Sequence, residues 1–475
     1  MKKFLAIMLT LAIVLGLCAC GGTGGSDSSE GGSSLSDGLN VGWGRVNVTP
    51  AYSVGIGGYS DTETRRSEGY LDYLYTTCLA FTEGDQTILV FTIDNLSADT
   101  YIVNEIRDAV TAVVTDVPAD HIFVSATHSH SAPSLTAGSN DADCTKYKEE
   151  FYAACAQAAQ DAMADRSGAT IYSTSTELEN MNFVRHYLLE DGTYAGSNFG
   201  DFNASPIKEH ATAGDNELQL VKFDRADESK QDILLVNWQS HPDHARANGY
   251  NTLSADFPGA MRTKIEKDTE LLCAYFTGAA GNQNPFSQIA SEKHNLGMKE
   301  YGEKLAEYAI ADLPNMKEVT GSGIKTSTIQ YEAEVDHSWD DMLDQANEVY
   351  DLWKSTDKAS GDALGKTYGF TSVYQARAIK TRAGMGATRT MEMSVFSVGG
   401  LGFVNGSYEM FSTSGLYIKE NSEYDTTLII EGCSGYLPDE AAYDYRSYEA
   451  DTGYYAKGTA EKLAEKFVEM LNGLQ

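Results

Sequence analysis

Basic residues are scarce in this 475-residue sequence: 35 Lys and Arg stand against 68 Asp and Glu, a formal net charge of −33. A surface of that sign repels phosphate backbones and anionic lipid headgroups, so a nucleic-acid partner and electrostatic docking onto a membrane are excluded. Proline is sparse, 9 residues against 44 glycines, and the chain is no Pro-rich spacer. Seven cysteines occur, at 18, 20, 78, 144, 155, 273 and 433, without one Cys-x-x-Cys, so a thiolate zinc site is not indicated. Cys144 and Cys155 are left as candidates for a disulfide in an exported protein. No internal repeat is evident. What is present is an ordinary globular mixture, 42% apolar and 22% charged, which rules out a disordered or fibrous body.

The N-terminus reads as an address. Lys2 and Lys3 precede an apolar stretch from Phe4 to Leu17, the charged and apolar regions of a signal peptide and short for a membrane span. It ends in Leu17-Cys18-Ala19-Cys20, which resembles a bacterial lipobox cleaved before Cys20. Gly21 to Gly38 holds one aliphatic side chain, Leu35, and cannot bury a core. The expected organisation is a lipoprotein signal peptide over 1–19, a Gly/Ser-rich tether over 20–38, and one large domain over 39–475. The expected location is the bacterial cell surface, with the exported chain anchored to the membrane by lipid on Cys20.

The body alternates strand and helix patterns. Thr87–Ile93 is a β-rich apolar run suited to a buried strand. Ser97 and Asp99 can cap the next segment, where Ile102, Ile106, Ala109, Val110 and Val113 recur at helical spacing. His121–Ser125 is a second strand, completing a parallel crossover unit. Further strands are expected at Ile233–Trp238, Cys273–Thr277, Met391–Val398 and Thr427–Glu431. Helices are expected at Tyr147–Ala164, Met298–Leu313, Trp339–Trp353 and Ala460–Leu471. The fold class is α/β: mixed, partly parallel sheets flanked by helices, in a single large domain.

Ligands in such folds bind beyond the carboxyl ends of strands, and there the chemistry-bearing residues gather. His128 and His130 follow His121–Ser125, and His241 and His244 follow Ile233–Trp238. Glu409 and Tyr436 follow the last two strands. Four of the nine histidines lie in two of these loops. Neutral imidazole is a good zinc ligand, and carboxylate or phenolate oxygen can complete the shell. An extended His-x-His sends both rings to one face, one for metal and one for substrate. The His-x-His-x-Asp-His of a metallo-β-lactamase is absent, and a barrel amidohydrolase would carry its His-x-His near its first strand.

These residues resemble those of the neutral/alkaline (non-lysosomal) ceramidase family, in order and over nearly the whole body. The blocks are Val41-Gly42 through Asn47-Val48-Thr49-Pro50, the run from Thr127-His128-Ser129-His130 to Pro133, and Asn182-Phe183-Val184-Arg185 with Tyr187. Asn237 to His241, Leu253 to Asp256, Gly435-Tyr436-Leu437-Pro438 and Tyr448-Glu449 complete the set. The resemblance implies Zn2+ held by His128, His241, Glu409 and Tyr436, with His130, Arg185 and Tyr448 facing the substrate. Asn284, in Gly281-Asn282-Gln283-Asn284-Pro285, stands where the family carries a Ser. An amide is no nucleophile, but it can donate a hydrogen bond to an oxyanion. The sequence closes on a helix near Leu471, so the expectation is the family's catalytic domain alone.

The implied function is zinc-dependent hydrolysis of an amide bond in a small-molecule or lipid N-acyl substrate, a ceramide-like reaction of sphingolipid metabolism. His130 is the expected proton shuttle. Arg185, Tyr448 and Asn284 would stabilise the tetrahedral intermediate, and Asp256 would orient a ligand histidine. A metal-dependent esterase and a non-catalytic ligand-binding lipoprotein are the alternatives.

Overall fold

The computed structural model describes residues 35–59, 64–135 and 141–475. The expected signal peptide over 1–19 and tether residues 20–34 lie outside the described residues. Ser36 belongs to the body, its backbone N–H donating to Asn40 Oδ1 at 2.9 Å.

Two sheets carry the architecture. The first contains β1 (Asn40–Asn47), β2 (Tyr75–Glu83), β3 (Gln86–Ile93), β4 (Ile122–Ala126), β5 (Ser167–Glu177), β6 (Glu217–Arg225), β7 (Ile233–Trp238) and β8 (Leu272–Thr277). Their spatial order is β8-β7-β6-β5-β1-β2-β3-β4. The pairs β3–β4 and β7–β8 are parallel and the rest antiparallel. The sheet curls, for the Thr92 hydroxyl on β3 donates to Tyr275 O on β8 at 2.6 Å. The second sheet runs β9 (Ile324–Glu334), β10 (Thr388–Val398), β11 (Leu401–Gly406) and β12 (Thr426–Glu431), with only β11–β12 parallel. The mixed α/β class read from the sequence is what the structure shows.

The apolar core explains the stacking. Val41, Phe81, Val90, Phe123 and Phe276 of the first sheet pack against Phe396, Phe403, Leu428 and Ile430 of the second. The opposite face of the first sheet, including Leu89, Phe91 and Ile93, lies under helices α1 (Thr100–Thr111) and α2 (Ala142–Ala164). That is why TILVFTI reads as continuous apolar sequence: both faces of β3 are buried. Helices α3 (Asp256–Thr269) and α4 (Met298–Asp312) cover β6 to β8. The outer face of the second sheet is closed by the C-terminal helix Thr459–Asn472. A helical insertion, α5 (Leu343–Ser355), α6 (Lys358–Thr367) and α7 (Val373–Ala383), has its own small core of Ala346, Val349, Phe370, Val373, Ala376 and Ile379.

Boundaries follow capping. Asp99 caps α1 by accepting from Ile102 N, whereas Ser97 makes no cap and Val113 falls beyond the helix, exposed. Helix α2 starts at Ala142 rather than Tyr147, because Asp141 accepts from Asp143 N and Cys144 N. The disulfide considered between Cys144 and Cys155 is not formed; both are free and buried. They share one helix eleven residues apart, about 16 Å along its axis at 1.5 Å per residue, too far for a bridge.

Helix α2 lies directly on the backbone of β1. A Cβ at Gly42 would overlap Ala162 O, and one at Gly44 would overlap Ala158 O. Gly44→Ala therefore forces helix and strand apart. It is expected to lower unfolding free energy by about 2–3 kcal/mol in denaturant titration, with the native far-UV spectrum kept.

Candidate metal centre

The loops after β4, β7, β11 and β12 deliver the site. Thr127 N stays tied to Ile93 O, and His128 then takes φ 63°, a left-handed conformation that side-chain-bearing residues seldom adopt. This turn, not an extended His-x-His, brings both imidazoles inward, with His128 Nε2 3.3 Å from His130 Nε2. His241 arrives from the β7 loop, its Nε2 3.0 Å from His128 Nε2. The possible ligand atoms of His128, His130 and His241 all lie within 4.8 Å of one another. Glu409 and Tyr436 are register partners in a short parallel bridge following β11 and β12. Glu409 Oε2 approaches His128 Nε2 to 3.5 Å and His241 Nε2 to 3.6 Å.

Hydrogen bonding on the far side of each ring fixes its tautomer. His128 Nδ1 sits 2.7 Å from Leu96 O, His130 Nδ1 2.9 Å from Gly58 O, and His241 Nδ1 2.9 Å from Ala280 O. A carbonyl only accepts, so each Nδ1 carries the proton and each Nε2 a lone pair. Burial, with His130 nearby, pushes the His128 pKa down to about 3. Burial and the Arg185 and Arg65 charges take His130 to about 4, and burial takes His241 well below its ordinary value. All three rings are neutral at pH 7. Three lone pairs thus face one another with no ring proton between them, while buried Glu409 Oε2 has no hydrogen-bond partner. Burial raises the Glu409 pKa to about 8 against the pull of Arg185. A divalent cation held by His128 Nε2, His241 Nε2 and Glu409 Oε2 would satisfy those atoms and leave the His130 lone pair free beside it, so the donor set fits a metal.

The reaction face is a cavity of about 430 Å³ whose lining includes His130, His241, Arg185, Asn284, Tyr436 and Tyr448. Seven of the eight sequence-predicted site residues line this cavity or the histidine cluster beside it, and Glu409 completes the cluster. Arg185 is held by Glu449, Nε to Oε1 at 2.8 Å, and by Gly281 O at 2.8 Å. Tyr436 packs with its ring centroid 6.0 Å from that of Tyr448, and its ring lies 5.6 Å from the Arg185 guanidinium carbon. Asn284 pairs through its backbone with Phe183, and its Oδ1 is buried without a partner. Asp256 does not orient a ligand histidine. Its carboxylate accepts from Ala245 N and Phe257 N at 2.6 Å, while backbone carbonyls orient the rings.

Two supporting residues escaped the sequence reading. Glu449 is fully buried and binds both Arg185 and His186, the latter Nε2 to Oε2 at 2.8 Å. Burial alone would raise its pKa, but His186 and Arg185 outweigh it and hold the value down at about 2. Tyr448-Glu449 belongs to a quoted sequence block, so the position was visible but not its partners. The depressed pKa means Glu449 stabilises the fold fully above its unfolded value, about 4.5, and loses that contribution as pH falls toward 2. Glu449→Gln is expected to cost about 3 kcal/mol at pH 7. In urea titrations, the gap to wild type should shrink steadily below pH 4.5; a pH-independent gap would refute the assignment.

No family model and no curated protein sequence matches the chain. Among solved structures, the chain is similar to a neutral ceramidase from Pseudomonas aeruginosa, with a TM-score of 0.66 at 15% identity over 92% of this chain and 75% of that one. A ceramidase complexed with C2 gives the same values. The chain therefore has a neutral ceramidase-like fold.

Proposed function

We propose that the chain is a zinc-dependent hydrolase that cleaves the amide bond of an N-acyl substrate, small-molecule or lipid. The observation that carries this reading is the set of three unprotonated Nε2 atoms and an unpartnered carboxylate oxygen converging beside a polar cavity. His128, His241, Glu409 and Tyr436 would hold the ion. When bound, zinc supplies Lewis acidity and brings the pKa of water to about 7. The similarity to ceramidase structures supports the hydrolase class through the fold.

The chain's own residues do the rest. His130 is fixed through Nδ1 by Gly58 and faces the cavity through Nε2, so it accepts a proton from the attacking water. The water oxygen bonds to the acyl carbon, the C–N bond breaks, and the proton on His130 passes to the departing nitrogen. Arg185, immobilised by Glu449, and the Tyr448 hydroxyl meet the negative charge that develops on the carbonyl oxygen. Asn284 replaces a nucleophilic hydroxyl with an amide, whose N–H can donate to the same oxygen. That replacement favours direct attack by water, and it leaves ester cleavage as the second reading.

Elemental analysis of the purified protein should find one zinc per chain, and His128→Ala should lose it. His130→Ala should keep the metal while the rate of N-acyl hydrolysis falls about 100-fold or more. Hydrolysis of acyl esters alone would select the esterase. Ligand binding with no turnover on either class would select the non-catalytic lipoprotein, and absence of any divalent metal after reconstitution would end the metal reading.

The address at the N-terminus is proposed on the sequence of Lys2 to Cys20: export, then lipid attachment at Cys20 at the bacterial cell surface. Cys20→Ala should move the protein from the membrane fraction to the soluble fraction and abolish incorporation of labelled palmitate. Unchanged fractionation would refute the anchor.

A further inference from the structure

The cavity beside the histidines is lined differently from a lipid channel. Among the described residues that line it, Leu96 is the one aliphatic side chain, and all the others except Gly58 are polar or aromatic. Sequestering an alkyl chain gains about 0.8 kcal/mol per CH₂ only where apolar surface receives it. Guanidinium and carboxylate groups offer no such surface and lose hydration when covered by hydrocarbon.

Two arginines at the mouth make no direct ion pair among the described residues. Arg246 follows the His241 loop, and its guanidinium carbon lies 4.7 Å from the Tyr59 ring centroid and 5.2 Å from that of Tyr250. Arg377 comes from helix α7 of the helical insertion, 5.9 Å from the Tyr374 centroid. Both line the cavity, with Tyr59 and Tyr374 beside them. Among the described residues, neither has a carboxylate within 4.0 Å. Other arginines do pair, Arg45 with Glu266, Arg107 with Glu392 and Arg262 with Asp94, whereas Arg166 and Arg389 also make no ion pair among the described residues. Acids outnumber bases by 68 to 35, yet here two arginines without an ion pair share one cavity with a single acid, Asp243. Asp243, the acid that lines the mouth, is engaged by the Tyr59 hydroxyl at 2.5 Å. Arg185, deeper in, is already neutralised by Glu449.

We propose that this cavity takes a compact N-acyl compound bearing an anionic group, bound by Arg246 and Arg377, in place of a two-chain lipid. The inference rests on the hydrolase reading for its reacting bond and on the two arginines for its specificity. A planar guanidinium beside a tyrosine ring can bind carboxylate or phosphate oxygens through paired N–H donors. With an N-acetyl amino acid, the carboxylate sits at the mouth and the amide reaches the metal side. Water adds across the C–N bond, giving acetate and the free amino acid.

The test separates binding from chemistry. Affinities are measured by calorimetry in the His130→Ala background for N-acetyl amino acids, their uncharged C-terminal amides, an N-acetylaminoalkyl phosphate and a short-chain ceramide. The anionic compounds should bind at least tenfold more tightly than the matched amides and the ceramide. The better of carboxylate and phosphate identifies the anion. Arg246→Gln with Arg377→Gln should abolish the discrimination, and the two Lys replacements should restore much of it. Equal affinity for acid and amide, discrimination that survives the double Gln variant, tighter binding of the ceramide, or no binding at all would each overturn the proposal. Tight, arginine-dependent binding without turnover in the wild-type protein would instead overturn the hydrolase reading and leave this one standing.

Discussion

Three imidazole nitrogens, His128 Nε2 lying 3.0 Å from His241 Nε2 and 3.3 Å from His130 Nε2, all present lone pairs and set the terms for the rest of the molecule. The repulsion is imposed from behind: Leu96 O, Gly58 O and Ala280 O each fix a proton on Nδ1 and so empty the facing Nε2. Protonating one ring would relieve the clash, but burial holds the pKa values far below neutrality. Flipping a ring would strand an unpaired carbonyl in a dry interior, at a cost of about 1–3 kcal/mol. A cation at the centre would satisfy these lone pairs, and Glu409 faces the same point.

The stacked sheets explain how distant segments meet there. Ligand candidates from the first sheet leave β4 and β7; those from the second leave β11 and β12. The shared core between the sheets fixes the separation of these strands, so loop ends are placed by packing that involves no polar atom of the site. Backbone bonds then lock the loops together: Gly281 N to Met410 O, His241 N to Gln283 O and Arg185 N to Asn282 O. The GNQNP loop thus ties both histidine and carboxylate sides to the arginine. Its tight turns leave no room for a Cβ at Gly281, which would crowd the carbonyls of Glu409 and Met410.

Much of this was legible in the sequence for a physical reason. Strands buried on both faces give unbroken apolar runs, and Ile233–Trp238 was read with its observed limits. The rule that ligands gather at strand ends put His128, His130, His241, Glu409 and Tyr436 in one set of loops, and the resemblance to the ceramidase family drew the ligand set His128, His241, Glu409 and Tyr436 from them. What stayed hidden depends on partners far apart in sequence. Arg185 and Glu449 are 264 positions apart, and nothing local marks them as a pair. Asp256 looked like a second partner for histidine because it follows the β7 block, yet a carboxylate at a helix start finds two backbone N–H groups closer at hand. The helical insertion carries ordinary amphipathic patterns, and its delivery of Tyr374 and Arg377 to the cavity is a tertiary fact.

A chain with a net charge of −33 and a cationic mouth is not a contradiction. In physiological salt, charges are screened over about 8 Å. A surface excess of carboxylates therefore acts on solubility and on distant encounters, and little of it reaches a group already inside the cavity. There the local inventory decides: Arg185 is paired with Glu449, Asp243 accepts from Tyr59 and keeps its charge, and Arg246 and Arg377 make no ion pair among the described residues. The low-dielectric protein around the cavity strengthens whatever charge is left uncompensated. A global acidic balance speaks to what the protein avoids, phosphate polymers and anionic bilayers, while the two guanidiniums speak to what the cavity selects.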